Sequence, residues 1–120
     1  MSKKILVVED ERPIAQALEL KLKSEGFEPD MAYDGEEALE KMKKGEYALV
    51  ILDLVLPKLD GFAVLEAAKK ENITTPIIVA SNLSQPEDEE KAKSLGAKDF
   101  LIKSNTTIAA IVEKVKSHTK

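Results

Sequence analysis

Five stretches with strand character alternate with five stretches of helical spacing along this chain, and that alternation limits the fold more than any other feature. Ile5-Leu6-Val7-Val8 is short, apolar and rich in β-branched residues. A run of that kind suits a strand buried on both faces. Pro13 then fits a helix's first turn, and Ile14, Ala17, Leu18 and Leu22 recur at helical spacing up to Gly26. Glu28 to Tyr33 is a more polar strand, suited to a sheet edge. Asp34-Gly35-Glu36-Glu37 resembles a capping box, and Ala38, Leu39 and Met42 give the next helix its inner face.

The third strand carries one acid in an apolar run, Leu49-Val50-Ile51-Leu52-Asp53-Leu54-Val55-Leu56, closed by Pro57 and Asp60-Gly61. A helix with Phe62, Leu65 and Ala68 inward comes next. Pro76 to Ala80 is another buried strand, ending at Ser81-Asn82, and Ser84-Gln85-Pro86-Glu87 reads as a second capping box. Asp99 to Ile102 is a short strand ending at Lys103, and Ile108, Ile111, Val112 and Val115 mark the last helix. Strict β-α alternation calls for a parallel sheet with helices on both faces and right-handed crossovers. At 120 residues the expectation is one domain over 1–120, with no output domain.

Composition removes several function classes. There is no cysteine, which excludes disulfides, thiolate catalysis and cysteine-ligated metals. The lone His118 near the end reads as a solvated tail residue. The net charge is −4, with lysines scattered among acids, which disfavours direct contact with nucleic acid. No segment reads as a signal peptide or a membrane span, so the expected location is cytoplasmic.

The chemistry is read from the polar residues at the strand ends. The first strand ends in Glu9 and Asp10, the third in Asp53, the fourth in Ser81 and the fifth in Lys103. In a parallel sheet these ends share one edge. Three carboxylates packed together repel one another and tend to take up protons. A divalent cation with a taste for hard oxygen ligands resolves this, and Mg²⁺ fits. Asp10 and Asp53 are the candidate direct ligands, with Glu9 beside them and the Val55 carbonyl as a further one. A metal, an ammonium and a hydroxyl form a cradle for a phosphoryl group, and a carboxylate can take that group as an acyl phosphate. Asp53 is the natural nucleophile, being the acid on the central strand. Any one of these residues has an ordinary explanation as a cap, a turn or a surface charge; the combination does not.

Glu9-Asp10, Asp53, Ser81 and Lys103, together with Leu56-Pro57 and Asp60-Gly61, resemble the receiver domain of bacterial two-component response regulators, stand-alone chemotaxis regulators included. The resemblance spans nearly the whole chain. It implies a flavodoxin-like α/β fold with strand order 2-1-3-4-5. It implies a phosphorylation-dependent signalling switch rather than an enzyme, with Asp53 phosphorylated by a sensor histidine kinase, a phosphotransfer domain or a small phosphodonor. Glu9, Asp10, Asp53 and the Val55 carbonyl would hold Mg²⁺, and Ser81 and Lys103 would contact the phosphoryl oxygens. Ser81 and Phe100 would form the switch that reshapes the surface of the fourth helix, fifth strand and fifth helix for a protein partner, with a homodimer on phosphorylation as one form of output.

The chain also departs from the family's pattern. Ser104 stands where proline is common, which leaves a trans and differently shaped loop, or a cis bond costing about 2.5–4 kcal/mol. Asn82 comes after Ser81 where the family often has a small residue. Val55 and Leu83 are apolar at positions that influence attacking water, so slow self-dephosphorylation is expected. Two other readings are a phosphorylation-independent binding module on the same fold and an α/β phosphohydrolase or nucleotide-binding enzyme. The five dispersed glycines form no phosphate-binding loop, which disfavours the enzyme.

Overall fold

The computed structural model describes residues 3–83 and 85–120. The elements alternate without exception: β1 (Lys4–Val8), α1 (Arg12–Ser24), β2 (Glu28–Ala32), α2 (Gly35–Lys44), β3 (Leu49–Leu52), α3 (Gly61–Lys70), β4 (Ile77–Ser81), α4 (Pro86–Ser94), β5 (Asp99–Ile102) and α5 (Ile108–His118). The strands form one parallel sheet in the order β2-β1-β3-β4-β5. This is the flavodoxin-like topology that the family resemblance implied.

The apolar strands are continuous because both sheet faces are covered. Leu6, Val8, Val50, Leu52, Ile77 and Val79 point to one side, where Ala38, Met42, Val64, Leu65, Ala68 and Ala92 of α2, α3 and α4 meet them. The alternate residues Ile5, Val7, Leu49, Ile51, Ile78 and Ala80 pack on Leu18 and Leu22 of α1 and on Ile111, Val112 and Val115 of α5. Each fully buried Leu, Ile or Val contributes about 1.5–3 kcal/mol, so these two layers hold the sheet rigidly beneath its loops. The weaker strand β2 lies at the edge, as its polarity required. In α1 the buried alanine is Ala15, whereas Ala17 is only half-buried. Within its span α4 buries Ala92 alone.

Turn and cap residues largely agree with the sequence reading. The Asp34 carboxylate accepts from the Glu37 amide at 2.7 Å, and Glu37 reaches back to the Tyr33 amide at 2.8 Å. Gly26 takes a φ of 88° just past α1, a conformation that a side chain would strain. Two expectations are corrected. The N-cap of α4 is Gln85, whose amide donates to Asp88 at 3.3 Å, so the capping pair sits one residue later than the Ser84 pattern suggested. Ser84 itself lies outside the described residues. His118 is not a solvated tail residue: its Nε2 lies 3.3 Å from Asp99 Oδ2, and its side chain is 27% exposed. It ties the end of α5 to the start of β5. Among the described residues every peptide bond is trans, and Lys103-Ser104-Asn105 form a single 3₁₀ turn, the form that Ser104 permits at no isomerisation cost.

Candidate functional site

The parallel register delivers the polar residues to one edge. Val8 pairs with Leu52, and Leu52 with Val79. The ladder continues one step beyond the strands, since the Asp53 amide donates to the Val8 carbonyl and the Glu9 amide to the Ala32 carbonyl, both at 3.0 Å. Glu9 and Asp53 are therefore held by sheet hydrogen bonds rather than by a loose loop. On the other flank Ser81 closes β4 in register with Ile102, the residue before Lys103.

Lys103 is the hub of this edge. Its Nζ donates to Glu9 Oε1 at 2.7 Å, to Asp53 Oδ2 at 3.0 Å and to Glu11 Oε1 at 3.1 Å. The Lys103, Glu9 and Asp53 side chains are 7%, 3% and 5% exposed, which makes this a buried ionic cluster. Burial alone would lower the lysine's proton affinity, but its bonds to Glu9 and Asp53 outweigh that and hold the ammonium above the usual lysine range. The Glu9 carboxyl is raised to about 7: burial is the main cause, the bond from Lys103 opposes it, and the neighbouring Asp53 charge adds to the rise.

Glu9, Asp10 and Asp53 each place a carboxylate oxygen so that all three lie within 4.8 Å of one another. Asp10 is exposed, so the cluster opens to solvent on its side. Three hard oxygen donors at this spacing fit a divalent cation such as Mg²⁺. Asp53 Oδ1 accepts from the Val55 amide at 3.2 Å, which folds the chain after the acid back toward it. Val55 is 57% exposed. The buried Ser81 hydroxyl accepts from the Leu83 amide at 3.4 Å. Phe100, on β5, is half-buried against the α2-α3-α4 layer.

Gly61 is a structural partner of the acid. A Cβ there would stand 2.5 Å from the Asp53 carbonyl oxygen and 2.5 Å from Leu54 Cα, and the Gly61 amide donates to the Leu54 carbonyl at 2.9 Å. The turn after β3 can close this tightly only without a side chain. Gly35 has a similar constraint against the Leu59 backbone.

Sequence reasoning missed Glu11 as a partner of Lys103. The signal was present as the third acid of Glu9-Asp10-Glu11, but adjacency to the strand end did not say which way its side chain turns.

The parallel 2-1-3-4-5 sheet with an acidic edge faced by a lysine defines the receiver class of signalling domain, and the chain belongs to the response regulator receiver domain family, whose pattern it matches over residues 5–116. Among curated proteins it is 41% identical over 100 residues to the transcriptional regulatory protein DltR of Streptococcus agalactiae, a match covering 83% of this chain and 45% of that protein. The chain spans about half the length of the curated relatives it matches. Among solved structures it resembles the Francisella response regulator 1452 receiver domain, with a TM-score of 0.93 and 31% identity over 98% of this chain and 97% of the other. It is also similar to the chemotaxis response regulator CheY4 of Vibrio cholerae, with a TM-score of 0.89 and 28% identity over 98% of this chain and 99% of the other. Among the described residues no helix is long and apolar enough to cross a membrane.

Proposed function

We propose that this domain is a phosphorylation-dependent signalling switch in which Asp53 accepts a phosphoryl group. The observation that carries the reading is the buried Lys103 ammonium bonded to Asp53 Oδ2 beside the Glu9 and Asp10 carboxylates. A lone buried acid would be a liability; an acid fixed against an ammonium and two further carboxylates is arranged for charge management.

An Asp53 carboxylate oxygen attacks phosphorus and forms the new P–O bond. The bond from phosphorus to its donor breaks, and its electron pair leaves with an imidazole nitrogen of a phosphohistidine or with the acetate oxygen of acetyl phosphate. The imidazole then takes its proton from solvent. Lys103 faces the oxygens on which negative charge is carried, and the Ser81 hydroxyl donates to another once it turns from the Leu83 amide. Glu9, Asp10, Asp53 and the Val55 carbonyl are the groups that would hold Mg²⁺. Bound there, the metal supplies neutralisation of the phosphoryl oxygens and of the acid cluster.

The readout passes through Ser81 and Phe100 to the surface of α4, β5 and α5, biasing a two-state equilibrium that a partner protein senses. The donor is a histidine kinase or phosphotransfer domain. The recipient is a protein partner, a second copy of the chain being one such partner. Mass spectrometry after incubation with Mg²⁺ and acetyl phosphate tests this: one phosphoryl group adds to the wild type and none to Asp53→Asn. Stoichiometric labelling of Asp53→Asn would overturn the assignment.

A further inference from the structure

An ammonium has three N–H donors and no acceptor. In Lys103 all three meet carboxylates, those of Glu9, Asp53 and Glu11. The phosphoryl-acceptor role of Asp53 accounts for the first two and leaves the third unexplained. Glu11 is the N-cap residue of α1, where an acidic side chain would ordinarily turn toward the free amides of the helix. It makes no such bond. It turns instead to Lys103, across 92 positions of sequence, at 3.1 Å. It also differs from the other two partners in exposure, at 54% against 3% for Glu9 and 5% for Asp53.

We propose that Glu11 is a positioning residue for Lys103: it holds the third donor of the ammonium while Asp53 is unmodified and surrenders it to a phosphoryl oxygen on Asp53. This rests on the reading of Asp53 as phosphoryl acceptor. A phosphoryl oxygen can engage Lys103 only if a carboxylate gives up its bond. Glu9 is the wrong one to release, because a buried carboxylate left without a partner is costly. Asp53 is the residue being modified and stays within reach. Glu11 is half in water and is rehydrated at little cost. The release therefore falls on Glu11, and the strength of its bond sets how readily the ammonium turns to the phosphoryl group.

Glu11 thus has two opposed effects. Its charge adds to the field that draws a divalent cation to the acid edge, while its contact competes with the phosphoryl group for Lys103. Glu11→Gln removes the charge and weakens the contact. Glu11→Asp keeps the charge but is one methylene too short for the contact. Mg²⁺ binding alone, and beryllofluoride binding at saturating Mg²⁺ (a tetrahedral phosphoryl analogue), are measured on the full chain by calorimetry. Acetyl phosphate labelling is monitored alongside.

In Glu11→Gln, Mg²⁺ affinity falls and analogue affinity rises, each by about two- to fivefold, the range an exposed ion pair supports. In Glu11→Asp, the analogue tightens by a similar factor while Mg²⁺ affinity stays at the wild-type value. The Lys103 ε-methylene NMR signals shift in both variants before any phosphoryl group or analogue is added. The inference is overturned if the wild type labels at Asp53 yet both variants bind the analogue as the wild type does, or more weakly. If the wild type takes no label, it is the acceptor assignment that fails, and the positioning role with it.

Discussion

Gly61 presses its Cα so closely on the backbone of Asp53 that a Cβ there would stand 2.5 Å from the Asp53 carbonyl oxygen. The contact ties the start of α3 to the end of β3, and so fixes the peptide that carries the candidate nucleophile. Gly61→Ala must push that peptide aside. The expected cost is about 1–3 kcal/mol of stability, as for overpacking elsewhere, with slower labelling by acetyl phosphate. Denaturant unfolding and a labelling time course check the two effects. A variant with both unchanged would show that the turn has room to spare.

Lys103 sits at 7% exposure among three acids. In Lys103→Met the acids lose their only ammonium among the described contacts, and breaking such a buried cluster costs about 3–5 kcal/mol. A divalent cation then meets no competing positive charge. The expected result is tighter Mg²⁺ binding than in the wild type, together with much slower labelling. Mg²⁺ should raise the thermal midpoint of the variant by more than it raises that of the wild type, because at a given free concentration a ligand that binds the folded state more tightly stabilises it more. Thermal scans with and without Mg²⁺ decide the matter; an equal shift in both proteins would refute the competition.

Val55 is exposed and Leu83 half-buried, and neither side chain can hydrogen-bond a water. An acyl phosphate at Asp53 is therefore expected to persist after the donor is removed. Val55→Asn supplies a group able to orient an attacking water and should shorten that lifetime. Phosphate release in Mg²⁺ buffer measures it, and loss of the group from the wild type within seconds would contradict the expectation.

Far from this edge, the Asp30 carboxylate accepts from the Tyr47 hydroxyl at 2.6 Å and from Lys41 at 3.2 Å. Partial burial raises the Asp30 pKa, but the Tyr47 and Lys41 bonds together outweigh it and hold the carboxyl below its usual range. A depressed folded value gives stability that is present above the unfolded pKa, about 3.9, and lost as pH falls through the folded one. Tyr47→Phe should cost about 1 kcal/mol at neutral pH. The gap between variant and wild type should close below the carboxylate range. Urea unfolding across that range is the check, and a gap that persists in acid would place its origin outside the Asp30 bond.

The sheet was readable from sequence because four of its strands are apolar on both faces, and only a sheet covered on both sides needs that. Part of the site edge was readable because a parallel sheet collects strand ends, so Glu9, Asp53 and Lys103 could be placed together from the order of the strands alone. The features that escaped depended on space or direction rather than on residue type. Gly61 looked like an ordinary turn glycine until its distance to Asp53 was known. Glu11 could not be placed from its position just past the first strand, because the turn of its side chain is set by a lysine 92 positions away. His118 looked like a tail, because its partner Asp99 begins a different element. Ser84 offered a better cap by type than Gln85, yet the helix starts where Pro86 sets its backbone angle.

The single buried residue of α4 bears on how a small chemical event becomes a large one. Helices such as α3 and α5 are each anchored by three or more buried residues, whereas α4 is anchored by Ala92 and carries acids through its first turn. It buries fewer residues than any of the other four helices, so its amides should exchange with deuterated solvent sooner than those of its neighbours. In the proposed switch a phosphoryl group on Asp53 supplies only a modest free-energy change, and α4, with one buried anchor, is the helix that such a change is expected to shift most readily.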